Sequence, residues 1–532
     1  MVAPSGRPPS TCWHRHALVR SAALVAVLGL AGAACGSGDS ENAGEGGDRG
    51  ARTTTTVDEG EPVPGGTLVY GIEADTASAW TPQSSLCAIS CHTIMKSVFD
   101  TLAVVDADGV AQPFLAEAVE PNADFTEWTI IPRAGVAFHD GTPFDAAAIC
   151  FNLQAAKDSA LQGRALVDVA TVAPSTDGAG CVVTMTRPWT TFDYSLTGQT
   201  GYMASPAWLA SALTDPTAAG RPVGTGPFVF ESYSPGNGGS FIANKNPDYW
   251  RADEGLPYLD RVEFRVLQDI ESRENALRDG AVNIIHTANT DVVAGLREEA
   301  DLEMHEDATY GETAYAMLNV GDPESEVADV RVRRALAMAV DPEQFNDARN
   351  AGIGVIANGP FSPDQVGYLE DNDAPEFDPE GATALIEEYE AETGRPVEID
   401  FLTTADPFNL QTNELVAAAW EAVGISVNLN TVDQGQYIVQ AALGNFEAFA
   451  WRNHGGYTPD QQRIWWHSEA SRPIGDISTT SAASRMTRST PCSTRSGRAP
   501  TRPNARRWPR TSTASSPSRP TTCGSRGPSG PS

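Results

Sequence analysis

The sequence predicts an α/β protein built of several structural units. Segments with strand-like and helix-like patterns alternate from Thr67 to about Ser478. The clearest case is the succession of "PVEIDFLTT", "NELVAAAWEAVG" and "ISVNLNTVD", which indicates a strand, a helix and a strand. Such a βαβ unit favours a parallel sheet covered by helices. The 532 residues are enough for two or three domains with substantial cores.

The N-terminus has the pattern of an export signal. Arg7, Arg15 and Arg20 form a basic region, and an apolar stretch over 22–34 follows it. This stretch is shorter than the roughly 20 residues that a membrane-spanning helix needs. We therefore predict a signal peptide over 1–35.

"GAAC", which ends at Cys35, is similar to a bacterial lipobox, with Gly where that motif has Leu. It predicts cleavage before Cys35 and a lipid anchor on this residue, which would hold the protein at the outer face of the cell membrane. Residues 36–65 are rich in Gly, Ser, Thr, Asp and Glu, as expected of a flexible tether. The alternative is an ordinary secretory signal with an incidental cysteine.

The elements after the tether can be placed in chain order. "TLVYGI" begins a strand at Thr67, and "FTEWTIIP" alternates like a half-buried strand. "TPFDAAAICFNLQAAKD" predicts a helix with Thr142 as its N-cap and Pro143 at its first position. "VEFRVLQD" is strand-like, "SRENALRDG" predicts a helix that ends at Gly280, and "VRVRRALAMAVDPEQF" is helical.

The net charge and the motifs limit the classes of function. A charge of −33 repels nucleic acids and anionic lipid head groups, so we predict no nucleic-acid partner. The catalytic patterns H-E-x-x-H, G-x-S-x-G, S-x-x-K and G-K-[ST] do not occur in the sequence. We therefore expect neither an enzyme nor a cofactor or metal site, and an exported hydrolase is the weaker alternative.

Four cysteines lie outside the leader and the C-terminal stretch: Cys87, Cys91, Cys150 and Cys181. An even number in an exported chain is consistent with disulfides, and four cysteines allow three pairings. We favour Cys87–Cys91, which requires a loop because this spacing on a regular helix fits disulfide geometry poorly, and Cys150–Cys181. "CAISCH" has one residue more than the C-x-x-C-H haem motif, so metal or haem attachment is the less favoured alternative.

Several stretches between about 66 and 478 occur in a characteristic order. They are "SVFDTLAVVDADGVAQPFLAEAVEPNADFTEWTIIPRAGVAFHDGTPFDA", then "VGTGPFVFESYSPG" with "NPDYW" and "PYLDRVEFRV", then "ALRDGAVNI", and then "DVRVRRALAMAVDPEQF". Together they resemble the solute-binding proteins of bacterial ABC importers, in the family that takes up peptides, nickel chelates and some sugars. Within them "HDGTP" and "GTGPF" predict tight turns, so we expect His139 to be a packing residue and not a catalyst.

The resemblance implies a two-lobed fold of the periplasmic-binding-protein type II class. The first lobe would span 66–318 with an extra subdomain at about 109–205, and the second lobe would span 319–478. The lobes would close about a hinge on a small-molecule or peptide ligand, and ABC permease subunits would be the protein partners. A solute-sensing lipoprotein of the same fold is the alternative.

The resemblance also indicates where the ligand would bind. In peptide-binding relatives an Asp three residues after a Trp pairs with the amino group of the ligand. Trp451 matches this Trp, but His454 stands in place of the Asp, which argues against ordinary peptide binding. Asp460 could replace the missing carboxylate only if its loop folds back.

Aromatic and polar side chains in two loops are the candidate ligand contacts. We predict contacts from Trp80, Trp451, Asn453, His454 and Tyr457. Trp465 and Trp466 are expected to pack in the core.

The last residues differ in composition from the rest of the chain. Residues 479–532 contain ten Arg and no Lys, Asp or Glu. A basic arm or a Pro/Ser/Thr stalk would explain this composition, but a shifted reading frame in a GC-rich gene explains it better. We therefore expect 479–532 to be an out-of-frame, disordered tail without a functional site.

Overall fold

Three sheets with their own hydrophobic cores organise the part of the chain that the structure describes. The computed structural model describes residues 62–75, 80–85, 87–160, 162–306, 311–363, 365–453 and 456–467. A two-stranded hairpin accompanies these sheets. The described residues belong to one compact unit that begins at Pro62. The predicted tail at 479–532 lies outside them.

The strands, numbered in chain order, have the following bounds: β1 Thr67–Ile72, β2 Ala103–Val105, β3 Ala111–Pro113, β4 Ala116–Pro121, β5 Glu127–Pro132, β6 Val169–Pro174, β7 Cys181–Met185, β8 Phe228–Ser234, β9 Ser240–Lys245, β10 Arg261–Val266, β11 Ile284–Ile285, β12 Thr313–Leu318, β13 Glu398–Thr404, β14 Ser426–Val432 and β15 Ala448–Asn453.

The α-helices are α1 Ile89–Val98, α2 Ala146–Asp158, α3 Gln162–Ala165, α4 Phe192–Ser195, α5 Pro206–Ala212, α6 Pro216–Ala219, α7 Ile270–Arg278, α8 Thr290–Leu296, α9 Val330–Met338, α10 Pro342–Asn350, α11 Pro379–Thr393, α12 Pro407–Ala422, α13 Gln434–Leu443 and α14 Arg463–Trp466. Within the described ranges, none of these helices is long and apolar enough to cross a bilayer.

Most of the longer helices begin at an aspartate that accepts a backbone N–H from the first turn. These N-caps are Asp145 for α2, Asp269 for α7, Asp329 for α9, Asp341 for α10, Asp378 for α11, Asp406 for α12 and Asp433 for α13. An aspartate both bonds the free N–H groups and complements the positive end of the helix dipole. Part of the acidic composition therefore serves to start helices.

The first lobe contains a sheet in the order β11-β1-β10-β9-β8. β1 runs parallel to β10 and β11, and β9 is antiparallel to β8 and β10. In β10 every second side chain, Val262, Phe264 and Val266, is buried, as the two-residue period of a strand requires. Side chains of α1 and α5 complete this core.

An extra subdomain is built on the antiparallel sheet β4-β5-β7-β6, with α2 packed against it. Its core side chains run from Leu102 to Met203 along the chain. The subdomain therefore begins a few residues before the predicted start at 109.

The second lobe contains the sheet β12-β15-β13-β14. β13 and β14 are parallel and joined by α12, which confirms the predicted βαβ unit. The predicted start of this lobe at Asn319 is wrong, because β12 pairs with β15 in this sheet. In addition, the Thr290 hydroxyl of α8 donates to the carbonyl oxygen of Arg349 in α10 at 2.9 Å. The chain thus enters the second lobe soon after β11.

The two predicted turns contact each other. The Nε2 atom of His139 donates to the carbonyl oxygen of Gly226 at 2.9 Å, and the Gly224 N–H donates to Nδ1 of His139 at 3.4 Å. Burial lowers the pKa of His139, which is consistent with a neutral ring that donates with one nitrogen and accepts with the other. His139 is therefore a packing residue, as predicted.

The predicted start of α2 is wrong by one short turn. Asp145 is the N-cap and accepts from the Ala148 N–H at 2.9 Å. The Thr142 hydroxyl instead donates to Asp140 at 2.6 Å, and Pro143 forms an isolated bridge with Ala137. Thr142 therefore closes the turn before the helix.

Two disulfides are present, Cys87–Cys91 and Cys150–Cys181. This is the pairing that the sequence analysis favoured. Cys87 precedes α1 while Cys91 lies in its first turn, so the short pair spans a loop and a helix start. Sulfur atoms joined in a disulfide are not thiolate ligands, which argues against metal or haem attachment at "CAISCH".

Candidate ligand cleft between the lobes

The carboxyl ends of three parallel strands meet at one edge of the first-lobe sheet. Glu73 follows β1, Leu267 follows β10 and His286 follows β11. The register that pairs Gly71 with Ile285 brings Glu73 beside His286. The Nδ1 atom of His286 lies 3.0 and 3.1 Å from the two carboxylate oxygens of Glu73. In open α/β sheets, ligands bind at this edge.

The charges at this edge favour a protonated His286. The hydrogen bond with Glu73 is the main cause that raises the pKa of His286, while burial and the charge of Arg273 oppose it. Glu312 also raises this pKa, although Glu312 directly precedes β12 of the second lobe. Since such an influence requires proximity, Glu312 at the start of β12 lies near the edge that carries Glu73 and His286.

Arg273 is a buried cation at the same edge. Only 4% of the residue is exposed, and its Nη1 donates to the Leu267 carbonyl oxygen at 2.6 Å. It therefore binds the end of β10 and places a positive charge behind the Glu73–His286 pair.

The facing wall in the second lobe is aromatic. Trp451 of β15 lies opposite Tyr315 of β12, and the Trp466 ring lies 5.5 Å from that of Tyr315. The Trp451 ring also packs against Tyr437 and Phe449. Flat faces of this kind bind planar, apolar or cationic groups.

Charged groups border this wall. Arg452 forms an ion pair with Glu312, with 3.7 Å between the nitrogen and oxygen atoms. The cleft thus combines an aromatic wall with charges of both signs, which suits a small organic ligand with polar groups.

The residues predicted to contact a ligand from the second lobe lie at different places in the structure. Trp451 is half-buried, and Asn453 ends β15 opposite Thr313. Tyr457 is half-buried, and its ring lies 6.2 Å from that of Tyr194 in the extra subdomain. His454 lies outside the described residues.

Trp80 does not lie on a surface. It is 1% exposed and makes edge-to-face contacts with Phe241 at 4.9 Å and Tyr233 at 5.2 Å. The expectation of a ligand-facing ring is therefore corrected: Trp80 is a core side chain of the first lobe. Trp466 was expected to pack in the core, but 42% of this residue is exposed.

Asp460 has other partners than a ligand. Its carboxylate accepts from the Trp189 Nε1 atom at 2.8 Å and from the Thr191 hydroxyl, both in the extra subdomain. The loop does fold back, but toward the subdomain.

Sequence reasoning missed Glu73, His286 and Glu312. Their positions in the sequence could have indicated them, because Glu73 and His286 each directly follow a strand of the first-lobe sheet and Glu312 directly precedes β12.

Among the residues that the structure describes, no group of three or more His, Cys, Asp or Glu could hold a metal ion.

The Glu73–His286 pair predicts a pH dependence of stability. Because the folded pKa of His286 is raised, its contribution is present below the unfolded value of about 6.5 and is lost as the pH rises through the folded value. We expect Glu73→Gln to lower the pKa of His286 toward its ordinary value, as measured by NMR. The thermal midpoints of parent and variant should differ more at pH 5.5 than at pH 8.5. A larger difference at the higher pH would contradict this assignment.

The sequence of this chain is similar to those of known proteins. Residues 110–473 match the family described as "Bacterial extracellular solute-binding proteins, family 5 Middle". The chain is 26% identical to heme-binding protein A of Haemophilus influenzae, over 76% of this chain and 78% of that protein. It is 25% identical to the dipeptide-binding protein of Escherichia coli, over 65% and 68% of the two chains.

The fold also has solved counterparts. The periplasmic binding protein DppA of Helicobacter pylori, in complex with the peptide STSA, superposes with a TM-score of 0.68 at 22% identity. The match covers 78% of this chain and 83% of that one. The two-lobed binding-protein fold is thereby confirmed.

These findings agree with the sheets and the cleft between them. Proteins of this family bind peptides or related solutes for ABC importers and are not enzymes. Because the family match extends over more than half of the chain, this protein belongs to family 5 of the bacterial extracellular solute-binding proteins.

Proposed function

We propose that this chain is the membrane-anchored substrate-binding subunit of an ABC importer. It captures a small solute, peptide-like or another organic molecule, between its two lobes. The observation that carries the proposal is the proximity of the Glu73–His286 pair, at the carboxyl edge of the first-lobe sheet, to Glu312 at the start of β12 in the second lobe, whose neighbouring strand β15 carries Trp451.

The side chains of the cleft define the chemistry of the solute. Tyr315, Trp451 and Tyr457 offer aromatic surface, which favours a solute with a planar or apolar part. Burial raises the pKa of Tyr315, so its hydroxyl stays protonated and can donate to a solute acceptor. Asn453 and His454 would add polar contacts.

His454 makes the site different from that of a typical peptide binder. An imidazole in the place of a carboxylate removes the fixed negative charge that would hold an ammonium group. We therefore propose a solute without a free N-terminal ammonium group at this position.

The anchor would be a lipid on Cys35, followed by a tether over 36–65. This arrangement keeps the binding protein at the outer face of the membrane, next to the permease subunits that accept its solute. The support comes from the basic and apolar leader and from the composition of the tether.

Membrane fractionation tests the anchor. We expect the parent protein in the membrane fraction of the producing bacterium and Cys35→Ser in the soluble exported fraction, because one thioether-linked cysteine carries the lipid. Cys12→Ser is the matched control, since Cys12 lies in the leader and should leave the protein in the membrane fraction. A parent that is soluble, or a Cys35→Ser protein that stays with the membrane, would contradict the anchor.

A further inference from the structure

The 456–467 segment connects the second lobe with the extra subdomain. It follows β15 and contains a short turn, Pro459–Gln462, and α14. The Trp466 ring contacts Tyr315 of β12, so the segment is held by the second lobe. α14 also lies against α3 of the extra subdomain.

Two polar contacts join this segment to the extra subdomain. The Asp460 carboxylate accepts from Trp189 Nε1 at 2.8 Å and from the Thr191 hydroxyl. The guanidinium of Arg463 donates to the Asp168 carboxylate, also at 2.8 Å. These contacts join the segment that follows β15 to residues of the extra subdomain about 270 to 295 positions earlier, so they are lost when the segment and the subdomain separate.

The ion pair is shielded from water. The side chains of Arg463 and Asp168 are 12% and 16% exposed, so salt screens their attraction less than that of a surface pair. Arg187 of the subdomain also donates to Asp168 at 2.7 Å. Asp168 therefore stays bound to a cation even when Arg463 moves away, which lowers the cost of opening.

The composition of the contact indicates a reversible interface. Carboxylates, guanidinium groups and a hydroxyl can return to water at modest cost, unlike the apolar cores that hold each lobe together. The contact also lies close to Tyr457, whose ring faces Tyr194 of the same subdomain.

We propose that Asp460 and Arg463, with Trp189, Thr191 and Asp168, form a latch that holds the second lobe against the extra subdomain. The latch needs no ligand atom, so it stabilises the closed form in the absence of solute. Solute and latch then favour the same conformation, and the latch raises the affinity by increasing the fraction of closed molecules. The effect on affinity rests on the proposed solute cleft, whereas the effect on closure does not.

Small-angle X-ray scattering of the ligand-free full chain tests the latch, after dialysis and a mass-spectrometric check that no solute remains. We expect a larger radius of gyration for Arg463→Gln than for the parent. Asp168→Asn should give a similar increase. The radius of gyration of the double variant should exceed that of neither single variant, because each of these proteins lacks the same ion pair. Thr191→Val, which keeps the shape of the side chain, should give a smaller increase.

Arg187→Gln is the matched control, since Arg187 binds Asp168 from within the subdomain. It should not increase the radius of gyration, because the contact between Arg463 and Asp168 remains. Thermal midpoints measured alongside separate opening from unfolding, because each lobe keeps its own core. An unchanged radius for Arg463→Gln, or an equal increase for Arg187→Gln, would overturn the latch. If the parent protein binds no solute but the Arg463→Gln and Asp168→Asn variants still have a larger radius of gyration, only the proposed function would be contradicted.

Discussion

Gly226→Ala is expected to lower the free energy of unfolding by about 3 kcal/mol or more, which is at the upper end for a single substitution. A Cβ atom at this position would lie 2.6 Å from the carbonyl oxygen of Val98 and 2.9 Å from the backbone nitrogen of Phe99. Both are main-chain atoms at the end of α1, so no side chain can turn aside to make room.

Three hydrogen bonds keep the turn at Gly226 from moving away from the end of α1. The Gly226 N–H donates to the Val98 carbonyl oxygen at 2.9 Å, and the Gly226 carbonyl oxygen accepts from His139 at 2.9 Å and from Asn246 at 3.0 Å. Relief of the clash would therefore break bonds that join the first lobe to the "HDGTP" turn.

Urea unfolding measures this effect. Gly198→Ala is the matched control, because Gly198 has a φ of −111° and its added Cβ would meet nothing within 4 Å. The control should change the free energy of unfolding by less than about 1 kcal/mol. Equal losses for the two variants would show that the close approach of the chain at Gly226 is not the cause.

Trp451→Ala is expected to weaken solute binding at least about 30-fold, the effect of losing a central aromatic contact. The Trp451 ring is half-buried, so part of its surface is exposed while the rest packs against Phe449 and Tyr437. Isothermal titration with the solute recovered from the parent protein measures the change.

The packing role of Trp451 requires a control from the same strand. Phe449→Ala removes a neighbouring ring that is only 3% exposed and so offers almost no surface to a solute. It should destabilise the second lobe and leave the affinity within a few-fold of the parent at temperatures where both variants are folded. Equal losses of affinity for the two variants would place the solute elsewhere.

The fold was largely predictable because its signals are local. The β13–α12–β14 unit follows from apolar periodicity within 35 residues, and the four cysteines left only three possible disulfide pairings, one of which is present. Thr142 was mistaken for the N-cap of α2 because both Thr and Asp cap helices. In the structure the Thr142 hydroxyl binds Asp140, and Asp145 caps α2 instead.

The site was less predictable because its contacts are distant in sequence. His286 and Glu73 are 213 positions apart and meet only through the parallel pairing of β1 and β11. The start of the second lobe was misplaced for the same reason, since β12 pairs with a strand about 135 positions later. Trp80 was misassigned because its sequence position does not reveal the rings of Tyr233 and Phe241 that enclose it.

Native mass spectrometry of gently purified protein is the most direct test of solute capture between the lobes. We expect an added mass that is released intact as a small organic molecule, and we expect Trp451→Ala to carry much less of this molecule than Phe449→Ala. A chain that purifies without any added mass, and that gains none when incubated with an extract of the producing cells, would contradict this expectation.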